Sequence, residues 1–366
     1  MSRKLSSQDL DDLVQGAIVI AAGGGGEPEY GKKMFSEALA AGKSFELMEK
    51  EEVQDEQLFA LVSYVGGGVS KEEEEMVEAL PIVHEHPIVQ AADELASYIG
   101  KPFDGFFPSE IGPGNTPAAM YVSAMKGKPT LDADTVGARA KPELSISATN
   151  VVGIPASPLA AVNFHGEVAI IKQTHDDYRM EVMARYISRS SGGKCGTARC
   201  PCSGRQVREG IVWGTISLAI EVGRILRTVK KEDAVETLTQ VLDGKLRFVG
   251  AVRGFEHERR AAFNWGNIQL EGTGGFAGQR YRVWYKNENL VSWRDGEVDV
   301  TCPDSIFIVD ARSGEGLLNE DKYFISGREV AVIARRCPEV WTREKGLEIF
   351  GPGHFGFDFP YRPFRE

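Results

Sequence analysis

Phe106-Phe107-Pro108-Ser109-Glu110-Ile111-Gly112-Pro113-Gly114-Asn115 reads as an apolar strand that ends in an acid and a glycine turn. A helix from about Pro117 to Met125 follows it. The same grammar recurs on both sides. Ala17-Ile18-Val19-Ile20-Ala21 reads as a strand, Gly23 to Gly26 break it, and Lys32 to Ala41 read as a helix closed by Gly42. Leu58 to Val65 is ended by Gly66-Gly67-Gly68. Ser70-Lys71-Glu72-Glu73 then makes a capping box ahead of Met76, Val77 and Leu80. Leu131 runs into the turn Asp132-Ala133-Asp134. Strand, turn and helix in repetition predict βα units, hence a three-layer α/β/α domain with a largely parallel sheet. The turns of such a sheet gather on one edge, where ligands bind.

The middle of the chain reads as mostly helical. Tyr178, Val182, Met183 and Tyr186 form one stripe, and Ile216, Leu218, Ala219, Val222, Ile225, Leu226 and Val229 form another. One strand is expected there, from Val168 to Lys172. From about Leu246 the period changes. Tyr281, Val283 and Tyr285 alternate with Arg280, Arg282 and Trp284, and Asp-Gly and Ser-Gly turns separate further short apolar runs. That pattern predicts a smaller antiparallel, β-barrel-like domain over 246–335. Residues 1–245 then form the α/β domain, completed by the tail 336–366.

Length and composition narrow the function classes. A chain of 366 residues has room for two domains. Its 42 basic residues against 53 acidic ones leave a net charge of −11, which argues against nucleic acid or an anionic membrane as partner. No apolar run approaches the roughly eighteen residues of a membrane span. The opening Met1-Ser2-Arg3-Lys4-Leu5-Ser6-Ser7 lacks the apolar core of a signal peptide. Five cysteines, an odd number, fit a reducing cytoplasm better than a disulfide framework. A homo-oligomer is compatible with all of this.

Three carboxylates, Glu110, Asp132 and Asp134, stand beside turns at the expected ligand edge. A buried acid is costly in a core and useful as a base. Asp132 and Asp134 flank one residue, so an extended backbone would point both to the same side, one to activate water and the other to hold a metal or a ring N–H. Helix capping and pairing with Arg139 is the plainer reading of the two. Gly23, Gly24, Gly25 and Gly26 offer converging amides for a carboxylate or ring carbonyl, and Gly67 follows the same logic with less support. A tight turn without ligand is the alternative, and no dinucleotide or P-loop fingerprint accompanies these glycines. Asn115 should neighbour Glu110. Arg139 and Glu143 are explained by holding their loop rigid, with Arg139 kept as a binding candidate.

Glu181 and Arg185 make an ordinary i,i+4 helix pair. Thr215 opens a helix, where a hydroxyl is more often a cap than a nucleophile, and no Ser-His-Asp order is present. His84-Glu85-His86 and His175-Asp176-Asp177 are weak metal signals. Cys195, Cys200 and Cys202 could supply three thiolates, but no fourth ligand stands at zinc-site spacing. The sequence points firmly to no cofactor, and a divalent metal such as zinc stays open, as does the role of the cysteines.

The motif E-I-G-x-x-N at Glu110 to Asn115, followed by D-A-D-x-x-G-x-x-A-x-P-E at Asp132 to Glu143, resembles the S-methyl-thiohydantoin desulfurase-like family. The resemblance extends over nearly the whole chain. It takes in Ala22-Gly23-Gly24-Gly25-Gly26-Glu27-Pro28, Met180-Glu181-Val182-Met183-Ala184-Arg185 and Gly214-Thr215-Ile216-Ser217-Leu218-Ala219. Later it includes Asn287-Glu288-Asn289, Cys302-Pro303-Asp304 and Gly351-Pro352-Gly353-His354-Phe355-Gly356. The three cysteines of 195–202 are a departure from the family pattern. The resemblance keeps Glu181, Arg185 and His354 as candidates.

It also implies hydrolytic removal of sulfur from a thiohydantoin or S-alkyl-thiohydantoin, leaving a hydantoin. The expected partner is thus a small cyclic amide or thioamide. Asp132 or Asp134 would be the base, Glu110 and Asn115 would orient the ring, and the glycine amides would hold developing charge. The alternatives are a hydantoinase- or oxoprolinase-type ring-opening hydrolase and a non-catalytic ligand-binding subunit.

Overall fold

The computed structural model describes residues 2–66, 68–260 and 263–365. The strands of the first half are β1 (Arg3–Lys4), β2 (Glu46–Met48), β3 (Leu58–Gly66), β4 (Gly105–Pro108), β5 (Thr130–Leu131), β6 (Ala133–Asp134), β7 (Leu159–Val162), β8 (Val168–Ile171), β9 (Lys194–Ser203) and β10 (Val212–Trp213). Eight of them build one sheet in the order β1-β2-β5-β4-β3-β9-β7-β8, and β6 pairs with β10 apart from it. The helices are α1 (Ser7–Ile20), α2 (Pro28–Ala40), α3 (Lys71–Glu78), α4 (Pro87–Ile99), α5 (Asn115–Lys126), α6 (Ala148–Val151), α7 (Asp177–Ser190), α8 (Gly204–Gly210), α9 (Thr215–Thr228), α10 (Ala234–Val241) and α11 (Glu344–Phe350).

The sheet is mixed, which corrects the expectation of a largely parallel one. Only the pairings among β2, β5, β4 and β3 are parallel. β9 runs antiparallel to both β3 and β7, and β7 antiparallel to β8. Two misreadings produced the difference. Ala17 to Ala21 is no strand; Ala17 to Ile20 end α1, whose Ser6 and Asp9 form a capping box. Leu10, Leu13, Val14, Ala17 and Ile20 bury one helical stripe, and its last turn alone has the look of a short strand. The other is β9, a strand in the stretch read as mostly helical with one strand at Val168 to Lys172. It is buried on both faces, so it shows no alternation, and its cysteines serve there as small apolar side chains.

The second sheet is antiparallel throughout: β11 (Gly244–Arg260), β12 (Phe263–Gly272), β13 (Arg280–Lys286), β14 (Glu288–Arg294), β15 (Glu297–Thr301), β16 (Ser305–Asp310) and β17 (Glu329–Arg335). Its order is β15-β14-β13-β12-β11-β17-β16, curled into half a barrel. Register shifts, as between Val252 and Gly254, bend it.

One core joins the two sheets. Leu13 and Ile20 of α1, Ala119 of α5, and Ile216 and Val222 of α9 pack in one cluster. That cluster holds Ala60 and Val62 of the first sheet together with Phe307, Val309, Ala331 and Ile333 of the second. The C-terminal ends of β3 and β4 therefore face the turn between β13 and β14.

Candidate active site between the two sheets

A cavity of about 540 Å³ occupies that junction. Gly23 to Glu27, Ser63 to Gly66, Ser109, Glu110, Asn115 and Lys141 to Leu144 line it from one side. Arg259, Asn264, Asn287, Glu288 and Leu318 to Glu320 line it from the other. Its position past the ends of parallel strands is the one that topology favours.

Backbone shape brings the two sides together. Gly25 has φ +85°, and a Cβ there would lie 2.5 Å from the Cα of Gly112. At Gly24 an added Cβ would fall 2.0 Å from Glu288 Oε1, so only glycine lets that carboxyl approach the loop. Asn287 is itself left-handed at φ +57°, a conformation asparagine tolerates. Its Oδ1 accepts from the Asn264 N–H at 2.8 Å, and its carbonyl accepts from Asn319 Nδ2 at 2.8 Å. The Asn289 N–H donates to the Ala22 carbonyl at 2.7 Å.

Glu110 is buried. Asn115 Nδ2 donates to its Oε1 at 2.5 Å, and the Lys141 N–H donates to its Oε2 at 2.9 Å. Burial raises its pKa, against the pull of the Lys141 charge and of these two donors. Glu288 is buried too, and its Oε2 has no hydrogen-bond partner among the described residues. Burial, with the Glu110 charge nearby, pushes it well above the ordinary carboxylate range. Lys141 donates its Nζ proton to Thr135 Oγ1 at 2.9 Å. Burial and the Arg199 guanidinium bring its pKa down to about 8.

Glu143 lines the cavity with His354 Nε2 2.8 Å from its Oε2 and the Lys286 ammonium on its other oxygen. His354 thus stands behind Glu143 and is not part of the cavity wall. Glu181 accepts from Ser145 and pairs with Arg185, which reaches the Gly66 carbonyl at 2.8 Å.

The structure separates the carboxylates that the sequence groups together. Glu110, Asn115 and Gly23 to Gly26 line the cavity; Asp132 and Asp134 do not. Both oxygens of Asp132 face the start of α9, accepting from the Ser217 N–H at 2.9 Å and its hydroxyl at 2.5 Å. Asp134 accepts from the amides of Val136, Gly137 and Ala138 and so fixes its own turn. Burial still pushes that carboxyl up. Asp132 and Asp134, expected as bases, thus lie away from the cavity: alternation placed them on a common face, but the start of α9 and the turn take up their lone pairs.

Arg139 is likewise no cavity residue. Its guanidinium donates to the carbonyls of Ala140, Pro303, Asp304 and Asn289 and lies over the Phe350 ring. Thr215 lies beside Asp134 at the start of α9, outside the cavity wall. Gly67 lies outside the described residues.

Among the described residues, one group has metal-ligand proximity: Glu37, Glu85 and His86, with ligand atoms within 4.8 Å of one another. The Lys33 ammonium already sits there, 3.0 Å from Glu85 and 3.4 Å from Glu37. Asp176 of the other histidine cluster caps α7. The cysteines do not converge. Cys195 packs with Val65 and Met180, whereas Cys200 and Cys202 pack with Phe59 and Val207, their sulfurs 3.4 Å apart.

Residues 8–173 match the model of the S-Me-THD-like N-terminal domain, and residues 175–364 match that of the S-Me-THD-like C-terminal domain. The chain belongs to the S-Me-THD-like family. A crystal structure of a protein from Chromobacterium violaceum is similar over 99% of both chains, with 25% identity and a TM-score of 0.78. No curated protein matches. The family models divide the chain at about residue 174, well before the change of period near Leu246.

Lys141, Glu288, Ser63, Ser109 and Arg199 escaped the sequence reading as site residues. Glu288 and Lys141 stand inside the motifs that carry the family resemblance. Arg199 had a signal of its own, an arginine inside a run of small apolar residues.

Proposed function

We propose that this cavity hydrolyses a thiohydantoin or S-alkyl-thiohydantoin to the hydantoin, with Glu110 as base and Glu288 as acid. The observation that carries the reading is the pair of buried carboxyls with unequal partners. Glu110 accepts from two N–H groups, which favour its anion, whereas Glu288 has an unpartnered oxygen and a neighbour that opposes its ionisation. Burial raises both carboxyls, and it is their unequal hydrogen-bond partners that suit them to opposite proton-transfer roles. Membership of the S-Me-THD-like family supports the choice of a sulfur ring as substrate.

For a thione, water attacks the carbon between the ring nitrogens while its proton passes to Glu110. The C=S π pair moves to sulfur, which takes the proton of Glu288. The C–S bond then breaks, the new hydroxyl becomes the carbonyl as its proton returns to Glu288, and hydrosulfide leaves with the proton held by Glu110. Hydantoin and hydrogen sulfide result, and both carboxyls are restored. In an S-alkyl ring a thiol leaves in its place.

Glu288 could equally protonate a departing ring nitrogen, so the assay compares both outcomes. The protein is incubated with a thiohydantoin and with the matching hydantoin, and sulfide and carbamoyl acid are measured. Sulfide from the first ring with the second unchanged supports desulfuration. Carbamoyl acid without sulfide would replace it by ring opening.

A further inference from the structure

Beside the two carboxyls the cavity carries a second polar group, formed by β3, β9 and the loop after β4. Arg199 of β9 is buried, and burial brings its guanidinium down to about 10. No carboxylate lies within ion-pair distance of it among the described residues. Its hydrogen bonds go to hydroxyls: Nη1 donates to Ser63 Oγ at 2.6 Å and to Thr197 Oγ1 at 3.3 Å, and Nη2 donates to Ser109 Oγ at 3.1 Å.

Those bonds set the direction of the hydroxyl protons. A serine oxygen that accepts from a guanidinium must direct its own proton elsewhere. Ser109 Oγ has no other partner among the described residues, and it lines the cavity. Ser63 Oγ also lines the cavity; its one alternative is Thr197 Oγ1 at 3.4 Å, a long contact. Thr197 in turn spends its proton on the Ser63 carbonyl at 2.8 Å. Two hydroxyls polarised by one buried cation thus face the cavity as donors. The Lys141 ammonium adds positive charge nearby, while Glu110, Asp177 and Glu181 act on Arg199 from beyond ion-pair distance.

We propose that Ser63 and Ser109 form an anion subsite that receives hydrosulfide or thiolate, with Arg199 as the positioning residue behind them. The choice of sulfur anion rests on the desulfuration reading; the subsite itself rests on the hydroxyl geometry. Hydroxyl donors backed by a buried charge suit a monoanion that forms as a bond breaks, because they are oriented before the reaction begins.

The test separates the two readings by measuring binding without turnover. Sodium hydrosulfide is titrated anaerobically into the resting protein by calorimetry, with wild type, Ser109→Ala, Ser63→Ala and the double variant side by side. Saturable binding by wild type, weakened roughly tenfold or more by each serine change, is the expected result. Absence of saturable binding, or equal binding by the double variant, would overturn the proposal. In turnover the double variant should lower kcat more than it raises KM for the thiohydantoin. Arg199→Lys keeps the charge and loses the fork that holds both oxygens, so it should retain part of the hydrosulfide affinity that Arg199→Gln loses. If either arginine variant fails to fold, the serine variants still decide. If no sulfur is released from any ring while hydrosulfide binding follows the serines, the subsite stands and the desulfuration reading falls.

Discussion

At the scale of single residues, Glu110 and Asp132 make opposite use of the same chemistry. Glu110→Gln should lower turnover by a factor on the order of a hundred to ten thousand, the usual contribution of a positioned base, with the fold intact. Asp132→Asn should leave chemistry nearly unchanged and lower stability by roughly 1 kcal/mol, since its two oxygens serve the start of α9. Steady-state kinetics beside urea unfolding separates them; a catalytic collapse confined to Asp132→Asn would restore it as the base. Glu143 adds a pH signature. Burial works to raise its carboxyl, but His354 and Lys286 override burial and hold it at about 2, below the ordinary 4.5. A depressed carboxyl contributes stability that is complete above 4.5 and lost as pH falls toward 2, roughly 3 kcal/mol at full size. Glu143→Gln should therefore destabilise the protein at neutral pH and flatten its acid branch. Equal destabilisation across the whole acid range would contradict this.

At the scale of elements, the crossing of α1 and α9 depends on two glycines. A Cβ on Gly16 would lie 1.8 Å from the Ala219 carbonyl oxygen, and one on Gly223 would lie 1.8 Å from that of Asp12. Backbone atoms yield less readily than side chains. Alanine gains about 1 kcal/mol of helix propensity over glycine, but Gly223→Ala should still destabilise by roughly 2 kcal/mol as the helices are forced apart. Thermal unfolding checks the sign: a raised Tm would mean that the crossing relaxes at little cost. The elements also show where periodicity is informative. The half-exposed strand β13 and the striped helices α7 and α9 carry their pattern openly. β9 does not, because a strand covered on both faces loses the alternation that marks it. The end of α1 misleads for a related reason, as four apolar residues at a helix end look like a strand until the cap at Ser6 is counted.

At the scale of the molecule, Arg139 ties the two halves. It sits on the loop after β6 and donates to Asn289 of β14 and to Pro303 and Asp304 beyond β15. Arg139→Met would leave these buried carbonyls without their donor. We expect a loss of roughly 3 kcal/mol or more, together with weaker binding of ring substrates, because Asn289 is the neighbour of Glu288. Chemical denaturation and substrate titration would read both effects; normal stability would show that water replaces the guanidinium. The shared core, in which Phe307 and Ile333 pack with helices of the first half, makes the halves one body in packing. The period change near Leu246 marks a change of sheet, while the hydrophobic interior continues across it.

The sequence by itself determined the class of each half, the family, and the presence of acids and glycines where strands end. Local periodicity and turn chemistry are written in neighbouring residues, so these features need no partner to be read. It did not determine which carboxylates line the cavity. Asp132, Asp134 and Glu110 look alike along the chain; what separates them is whether a helix end, a turn or a cavity meets their oxygens, and that is set by residues distant in sequence. The same holds for Glu288, whose burial depends on a glycine at position 24, and for Arg199, whose partners come from β3 and the loop after β4. Burial and hydrogen-bond partners belong to the assembled fold, and they decide which acid caps a helix and which one lines the cavity.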